Sequence, residues 1–270
     1  MSDSHLTRRR FFVHSAHKTI GVSASLAAWQ ACEMAEGFAG AEQHAGPLRI
    51  CLVSGSALYK SDESLAALQE HLEKNYPIKC RRAFRKADDD LPGLENLDQC
   101  DCMVLLVRRL TVAGEQLERV KRYCRRGGAI VALRTASHGF QNWLALDKEV
   151  LGGDYQGHYG NEPVEVKIAE AAKDHPILSG VEPFTSQGSL YKNSELPKDT
   201  TVLLTGTIPG HSHPVAWVRP HQGGRVFYTS LGHPDDFQQG SFLRLLLSAI
   251  AWTAQRPAEK GDRHRGGNVN

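Results

Sequence analysis

Four short segments of this chain concentrate groups that move protons or hold charge. They are Ser54-Gly55-Ser56, Arg108-Arg109, Arg134-Thr135-Ala136-Ser137-His138 and Ser230-Leu231-Gly232-His233-Pro234-Asp235-Asp236. A fifth, Gly157-His158-Tyr159-Gly160-Asn161, adds an imidazole, a phenol and an amide. Unperturbed imidazole changes charge near neutral pH, so His138 and His233 are candidate acid–base catalysts. Arg108, Arg109 and Arg134 are candidates to stabilise negative charge developing on an enediolate or a carbonyl oxygen, which makes Arg134 the third candidate catalytic residue. A single loop arginine reads as the solvated partner of a surface carboxylate; three in successive polar turns read as a site.

Seven histidines lie between positions 138 and 233: His138, His158, His175, His211, His213, His221 and His233. Zinc takes three or four N, O or S ligands, so His138, His158 and His233 are the candidate zinc ligands, with Asp235 or Asp236 as a carboxylate. No His-Glu-x-x-His helix is present, and any such site would have to be assembled by the fold. His175, before Pro176, reads as a turn or cap residue; His211, His213 and His221 read as surface. Ser137 precedes His138 directly, and adjacent residues rarely face each other, so a Ser–His nucleophile pair is disfavoured.

The elements that would position these groups are legible in the hydrophobic pattern. Apolar runs at Leu48–Ser54, Pro77–Phe84, Cys102–Val107 and Ala129–Leu133 read as strands, the third so uniformly apolar that both its faces must be covered. Between them, Ser61–Asn75 and Gly114–Arg126 carry apolar residues at helical spacing, the second stopped by Gly127-Gly128. This alternation predicts a parallel sheet with helices on both faces, a flavodoxin-like α/β domain. After Gly152-Gly153 the pattern changes to short strands at Val164–Ala169, Thr201–Leu204, Val215–Val218 and Arg225–Thr229, an irregular β-rich second half closed by a helix at Ser241–Gln255. Ligands of open parallel sheets bind beyond the carboxyl ends of the strands, where the polar segments named above begin.

Composition agrees with a globular chain: 270 residues, 32 Lys+Arg against 30 Asp+Glu. The slight basic excess comes from the ends, leaving the segment 42–255 near neutral, without an electrostatic footprint for nucleic acid or an anionic membrane. The N-terminus reads Thr7-Arg8-Arg9-Arg10-Phe11, followed by an uncharged stretch from Thr19 to Cys32. That stretch is too short to span a bilayer but suits the apolar region of an export signal. The paired arginines before Phe11 resemble a twin-arginine signal, with Ala39-Gly40-Ala41 as a processing site, so 1–41 is read as a leader directing the protein to the periplasm; the alternative is a basic tail on a cytoplasmic protein. The polar, Gly-rich 256–270 reads as a disordered tail. Cys51, Cys80, Cys100, Cys102 and Cys124 have no staple-like or metal-site spacing and read as packed thiols.

Six motifs in order carry a more specific likeness. They are Arg134–Phe140; Val150-Leu-Gly-Gly-Asp-Tyr-Gln-Gly-His-Tyr-Gly160; Asp174-His-Pro-Ile-Leu-Ser-Gly-Val181; Ser189-Leu-Tyr-Lys192; Pro214-Val-Ala-Trp217; and Gly224–His233. Together they resemble the ThuA-like (trehalose-utilisation) family over about residues 48–255. The resemblance implies a class I glutamine-amidotransferase-like fold and a part in the uptake or breakdown of trehalose and related disaccharides. In some settings such proteins stand beside oxidoreductases that make 3-keto sugars, and some members hold a zinc ion through histidines. Amidotransferase relatives place a nucleophilic Cys on the turn that here reads Leu133-Arg134-Thr135-Ala136, so that mechanism is excluded. Many family sequences carry His where Arg134 stands. A saccharide ligand needs charged or planar donors and an aromatic face. Ser54, Gly55, Arg108, Arg109, Ser137, Tyr159, Asn161 and Tyr191 are the expected contacts, whereas Trp217 reads as core. Three functions follow: acid–base processing of a disaccharide or its keto derivative, saccharide binding without turnover, or zinc-dependent hydrolysis.

Overall fold

The computed structural model describes residues 46–257, Ser194 excepted. The leader, its processing site and the tail from 258 onward lie outside the described residues. Strand β1 (Leu48–Gly55) is followed by helix α1 (Ser61–Asn75), β2 (Ile78–Phe84), β3 (Cys102–Val107), α2 (Gly114–Arg125) and β4 (Ile130–Leu133). Strands β5 (Val164–Ile168), β6 (Phe184–Ser186), β7 (Thr201–Ile208), β8 (His211–His221) and β9 (Gly224–Thr229) precede the last helix, α3 (Gly240–Thr253).

All nine strands form one sheet in the order β2-β1-β3-β4-β9-β8-β7-β5-β6. The first five run parallel, and β8, β7, β5 and β6 pair antiparallel in succession. The fold is mixed α/β. Every residue of β3 is buried, because successive side chains enter two different cores. Ile50, Leu52, Val104 and Leu106 pack against Leu65, Leu68 and Leu72 of α1 and Phe242, Leu245 and Leu246 of α3. On the other face Cys51, Val53, Met103 and Leu105 meet Leu117, Val120, Tyr123 and Cys124 of α2. Each fully buried Leu contributes roughly 1.5–3 kcal/mol.

The second half is β-rich, as expected, and its strands extend the same sheet, while the segments between β4 and β5 and between β6 and β7 carry no strand. The alternation is obscured by Pro214 and Pro220 within β8 and by register shifts between Val202 and Thr205 of β7. Strand β9 belongs with the parallel half, beside β4. The described cysteines are all unpaired. Burial pushes their thiols up, Cys80 and Cys124 to about 12, which leaves them protonated. No helix among the described residues is long and apolar enough to cross a membrane.

Candidate functional site

Strands β1, β3, β4 and β9 all point the same way, so their carboxyl ends share one edge of the sheet. At the exit of β4 the chain turns sharply: Arg134 has a φ of +46°, and Arg109, after β3, has a φ of +52°. Left-handed backbone at a residue with a Cβ costs on the order of 1–2 kcal/mol, so both turns must be held by their surroundings. The Tyr228 hydroxyl donates to the Arg134 carbonyl at 2.8 Å, and the Arg109 N–H donates to the His138 carbonyl at 3.0 Å.

The Arg134 side chain is only 1% exposed. Its Nη1 donates to the Ser230 carbonyl at 2.8 Å, and its Nη2 reaches the Ser189 hydroxyl at 3.5 Å. The guanidinium lies over the rings of Tyr59 (4.3 Å) and Tyr191 (5.0 Å). A Cβ on Gly188 would stand 2.5 Å from Nη1, so only glycine lets that loop close over the group. Nε has no partner, and no described carboxylate lies within ion-pair distance. A buried cation normally has an anionic partner, because desolvating it costs several kcal/mol.

Around this cation the rings form a connected group. His138 stacks on Tyr155 at 4.5 Å, and Tyr155 meets Tyr191 at 4.6 Å. Tyr191 is 6.4 Å from His158, and Tyr59 is 6.5 Å from His233. His138 Nδ1 lies 3.0 Å from the Ser137 hydroxyl, so these neighbours do face each other on their 3-10 turn, against expectation. Burial, then the charges of Arg109, Arg108 and Arg134, pushes the His138 pKa down to about 4. The imidazole is therefore neutral at pH 7. Burial also pushes the hydroxyls of Tyr155 and Tyr191 up, keeping them as neutral donors.

Two buried carboxyls border the group. Asp147, in the π-helical turn Leu146–Leu151, accepts the Tyr155 N–H at 2.9 Å and so fixes that ring's loop. Burial raises its pKa to about 6, and its Oδ1 has no partner. Asp236 Oδ2 accepts from the Gly232 N–H (2.8 Å), the His233 N–H (2.9 Å) and the Ser186 hydroxyl (2.9 Å). Burial raises its pKa despite these bonds.

Of the expected residues, Arg134, Ser137, His138, His158, Tyr191 and His233 belong to this group, with Arg108 and Arg109 near enough to act on His138. Others are elsewhere. The Ser54 hydroxyl is fully buried and committed to Asp62 Oδ1 (2.5 Å) and the Ser61 hydroxyl (2.7 Å), which join the start of α1 to β1. Gly55 is packed under Leu110, whose Cδ1 would lie 2.8 Å from an added Cβ. Both therefore support the site from below and do not line it. Asn161 is exposed. Tyr159 joins a neighbouring set, stacking on His211 at 4.0 Å and reaching His213 Nε2 at 3.0 Å. His211 is exposed, as expected, and His213 is half-buried; both contact that ring.

The zinc expectation does not fit the residues. Among the described residues no three His, Cys, Asp or Glu side chains are grouped to hold a metal ion. His233 Nδ1 accepts the Asp235 N–H at 3.3 Å as a turn cap, His158 Nδ1 is 2.6 Å from the Tyr159 carbonyl, and His138 Nδ1 pairs with Ser137; each ring keeps Nε2, but the three rings do not converge with other ligand side chains on one metal position. Tyr59 and Tyr155 were not singled out from the sequence. The Gly153-Asp-Tyr-Gln-Gly157 loop, glycine-flanked around one aromatic, was the available signal for Tyr155.

Comparison with known proteins gives the chain a family. The family model described as ThuA, trehalose utilisation, matches residues 49–253. No curated protein matches the chain. Among solved structures, a ThuA-like protein from Parabacteroides merdae has a TM-score of 0.63 at 16% identity, covering 80% of this chain and 94% of its own. A ThuA-like protein from Bacteroides uniformis has a TM-score of 0.61 at 18% identity, covering 79% of this chain and 94% of its own. A β-galactosidase from Bacillus circulans aligns over 76% of this chain and 31% of its own, at 14% identity and a TM-score of 0.53. These likenesses concern the fold; the family model covers the strands, the Arg134 turn and the aromatic group alike, and the chain belongs to the ThuA (trehalose-utilisation) family.

Proposed function

We propose that the chain is an exported carbohydrate-processing protein acting on a disaccharide or its keto derivative, built on a flavodoxin-like, class I glutamine-amidotransferase-like parallel half. The observation that carries this reading is the buried, carboxylate-free Arg134 on its left-handed turn, with His138, Tyr155 and Tyr191 grouped around it. In the reaction, an imidazole takes the proton from a carbon next to a carbonyl, and the C–H electron pair moves onto the carbonyl oxygen. Arg134, with Arg108 and Arg109, stabilises the resulting enediolate. His138 is in its basic form at neutral pH. The His138 imidazolium so formed returns that proton to the adjacent carbon, regenerating the neutral base, while His233, which accepts a backbone N–H at Nδ1, keeps its Nε2 proton and donates it as a hydrogen bond to the oxygen on which charge develops. Purified protein assayed on keto and ordinary disaccharides should lose on the order of 10²–10⁴ in turnover in His138→Ala and His233→Ala. Unchanged turnover in both variants removes the acid–base reading.

A second reading, saccharide binding without turnover, is favoured by one observation: no described carboxylate hydrogen-bonds to His138, so the imidazole lacks the orienting partner of a Ser–His relay. Tight calorimetric binding of a saccharide with no product would select it. Export is supported by the Thr7-Arg8-Arg9-x-Phe11 pattern alone. Changing Arg8 and Arg9 to Lys should retain the protein in the cytoplasm on fractionation; an unchanged periplasmic fraction would end the proposal.

A further inference from the structure

The charge around the Arg134 group is one-sided. Arg109 and Arg108 leave β3 in sequence, the first on left-handed backbone, and their N–H groups donate to the His138 and Gly55 carbonyls, both at 3.0 Å. Neither guanidinium has an ion-pair partner among the described residues. Arg109 is exposed and Arg108 half-buried, so both are available to a ligand. Arg134, whose charge acts on His138 together with theirs, is buried without an ion-pair partner, and its Nε is unpaired. The bordering carboxyls make no ion pair with these three cations: Asp147 Oδ2 accepts the Tyr155 N–H, Asp236 Oδ2 accepts the Gly232 and His233 N–H groups and the Ser186 hydroxyl, and Asp236 feels the charge of Arg134 only at longer range. The groups acting on His138 are Arg109, Arg108, Arg134 and His158, all of one sign.

A neutral sugar would leave these cations uncompensated once it excluded water from them, at the cost of desolvating each. A ligand carrying its own anion would supply the missing partner, and arginine's planar fork suits carboxylate and phosphate. We propose that this site takes an anionic saccharide, whose carboxylate or phosphate group is bound by Arg108 and Arg109 near the fixed charge of Arg134. The proposal rests on the reading that the Arg134 group is the saccharide site, and names the class of saccharide.

The test is calorimetry on the full chain with three probes: a disaccharide containing one glucuronate unit, trehalose 6-phosphate, and trehalose itself. At least one anionic probe should bind tenfold or more tightly than trehalose, and whichever binds identifies the anion as carboxylate or phosphate. In Arg108→Gln/Arg109→Gln the preference should fall to within threefold. Because a double variant can misfold, a second readout uses the unaltered protein: the anionic probe should raise the NMR-titrated pKa of the His138 imidazole, by partly neutralising the arginines beside it, and trehalose should not. Equal affinity for all three probes, or a preference that survives in the folded double variant, overturns the proposal. Anion-selective binding without turnover would remove the acid–base reading and leave this inference standing. Turnover of trehalose or its keto derivative with no anion preference would do the reverse.

Discussion

Replacing Arg134 with Met is expected to lower turnover on the order of 10²–10³-fold while leaving folding stability within about 2 kcal/mol of the unaltered protein. The two effects separate because Arg134 is costly to bury and has no ionic partner. The substitution loses the charged hydrogen bond to the Ser230 carbonyl, worth roughly 1.5–3 kcal/mol, and two cation–π contacts of about 0.5–2 kcal/mol each. Against that it removes the desolvation penalty of the guanidinium, several kcal/mol, and fills similar volume. The left-handed backbone is common to both proteins and cancels. If Arg134 instead held the fold together as one member of a buried ion pair, its removal would cost about 3–5 kcal/mol. Urea unfolding beside turnover decides the matter: a strongly destabilised variant, or a stable one with full turnover, refutes the assignment. Arg134→Lys keeps the charge but not the planar stack between Tyr59 and Tyr191, and should fall between.

The contrast between what the chain's pattern reveals and what it conceals has physical causes. Strands β1, β3 and β4 are continuous apolar runs because both faces are covered, and such runs can be read without any partner. The exits of those strands were also legible, which is why Arg109, Arg134 and His138 could be named together. Ser54 could not be judged this way: a Ser-Gly-Ser step looks like an open turn, yet its hydroxyl is consumed by Asp62 and Ser61 of the helix that follows. Tyr59 and Tyr155 sit in short irregular segments with no period, so their convergence on Arg134 and His138 exists only in three dimensions. Histidine spacing was the least informative signal. Whether imidazoles can share a metal depends on how the backbone brings their rings together, and the described residues group no three ligand side chains around one point.

Asp147→Asn should gain stability relative to the unaltered protein as pH rises from about 4 to about 6, the window in which the Asp147 carboxyl works against folding while His138, held down to about 4, works for it in both proteins. The Asp147 carboxyl titrates at about 6 in the native protein against 3.8 in an unfolded chain, first because it is buried and also because Asp154 repels its charge. The hydrogen bond from the Tyr155 N–H opposes the shift without overcoming it. Below the unfolded value both states hold the proton, and the native state keeps its full stability. Between the two values the unfolded chain releases the proton and the native one does not, so folding loses ground; above about 6 both are ionised and the loss is complete. A shift of this size corresponds to about 2–3 kcal/mol. Asparagine carries no charge, and its amide oxygen can still accept from Tyr155. The variant's stability relative to the unaltered protein should therefore rise by about 2–3 kcal/mol between pH 3.5 and pH 7.5, read from urea midpoints. Asp236, shifted in the same direction, contributes to both proteins and drops out of the difference. A variant that tracks the unaltered protein across that range would mean that Asp147 ionises normally, and that the Tyr155 loop is held against His138 by an ordinary solvated carboxylate.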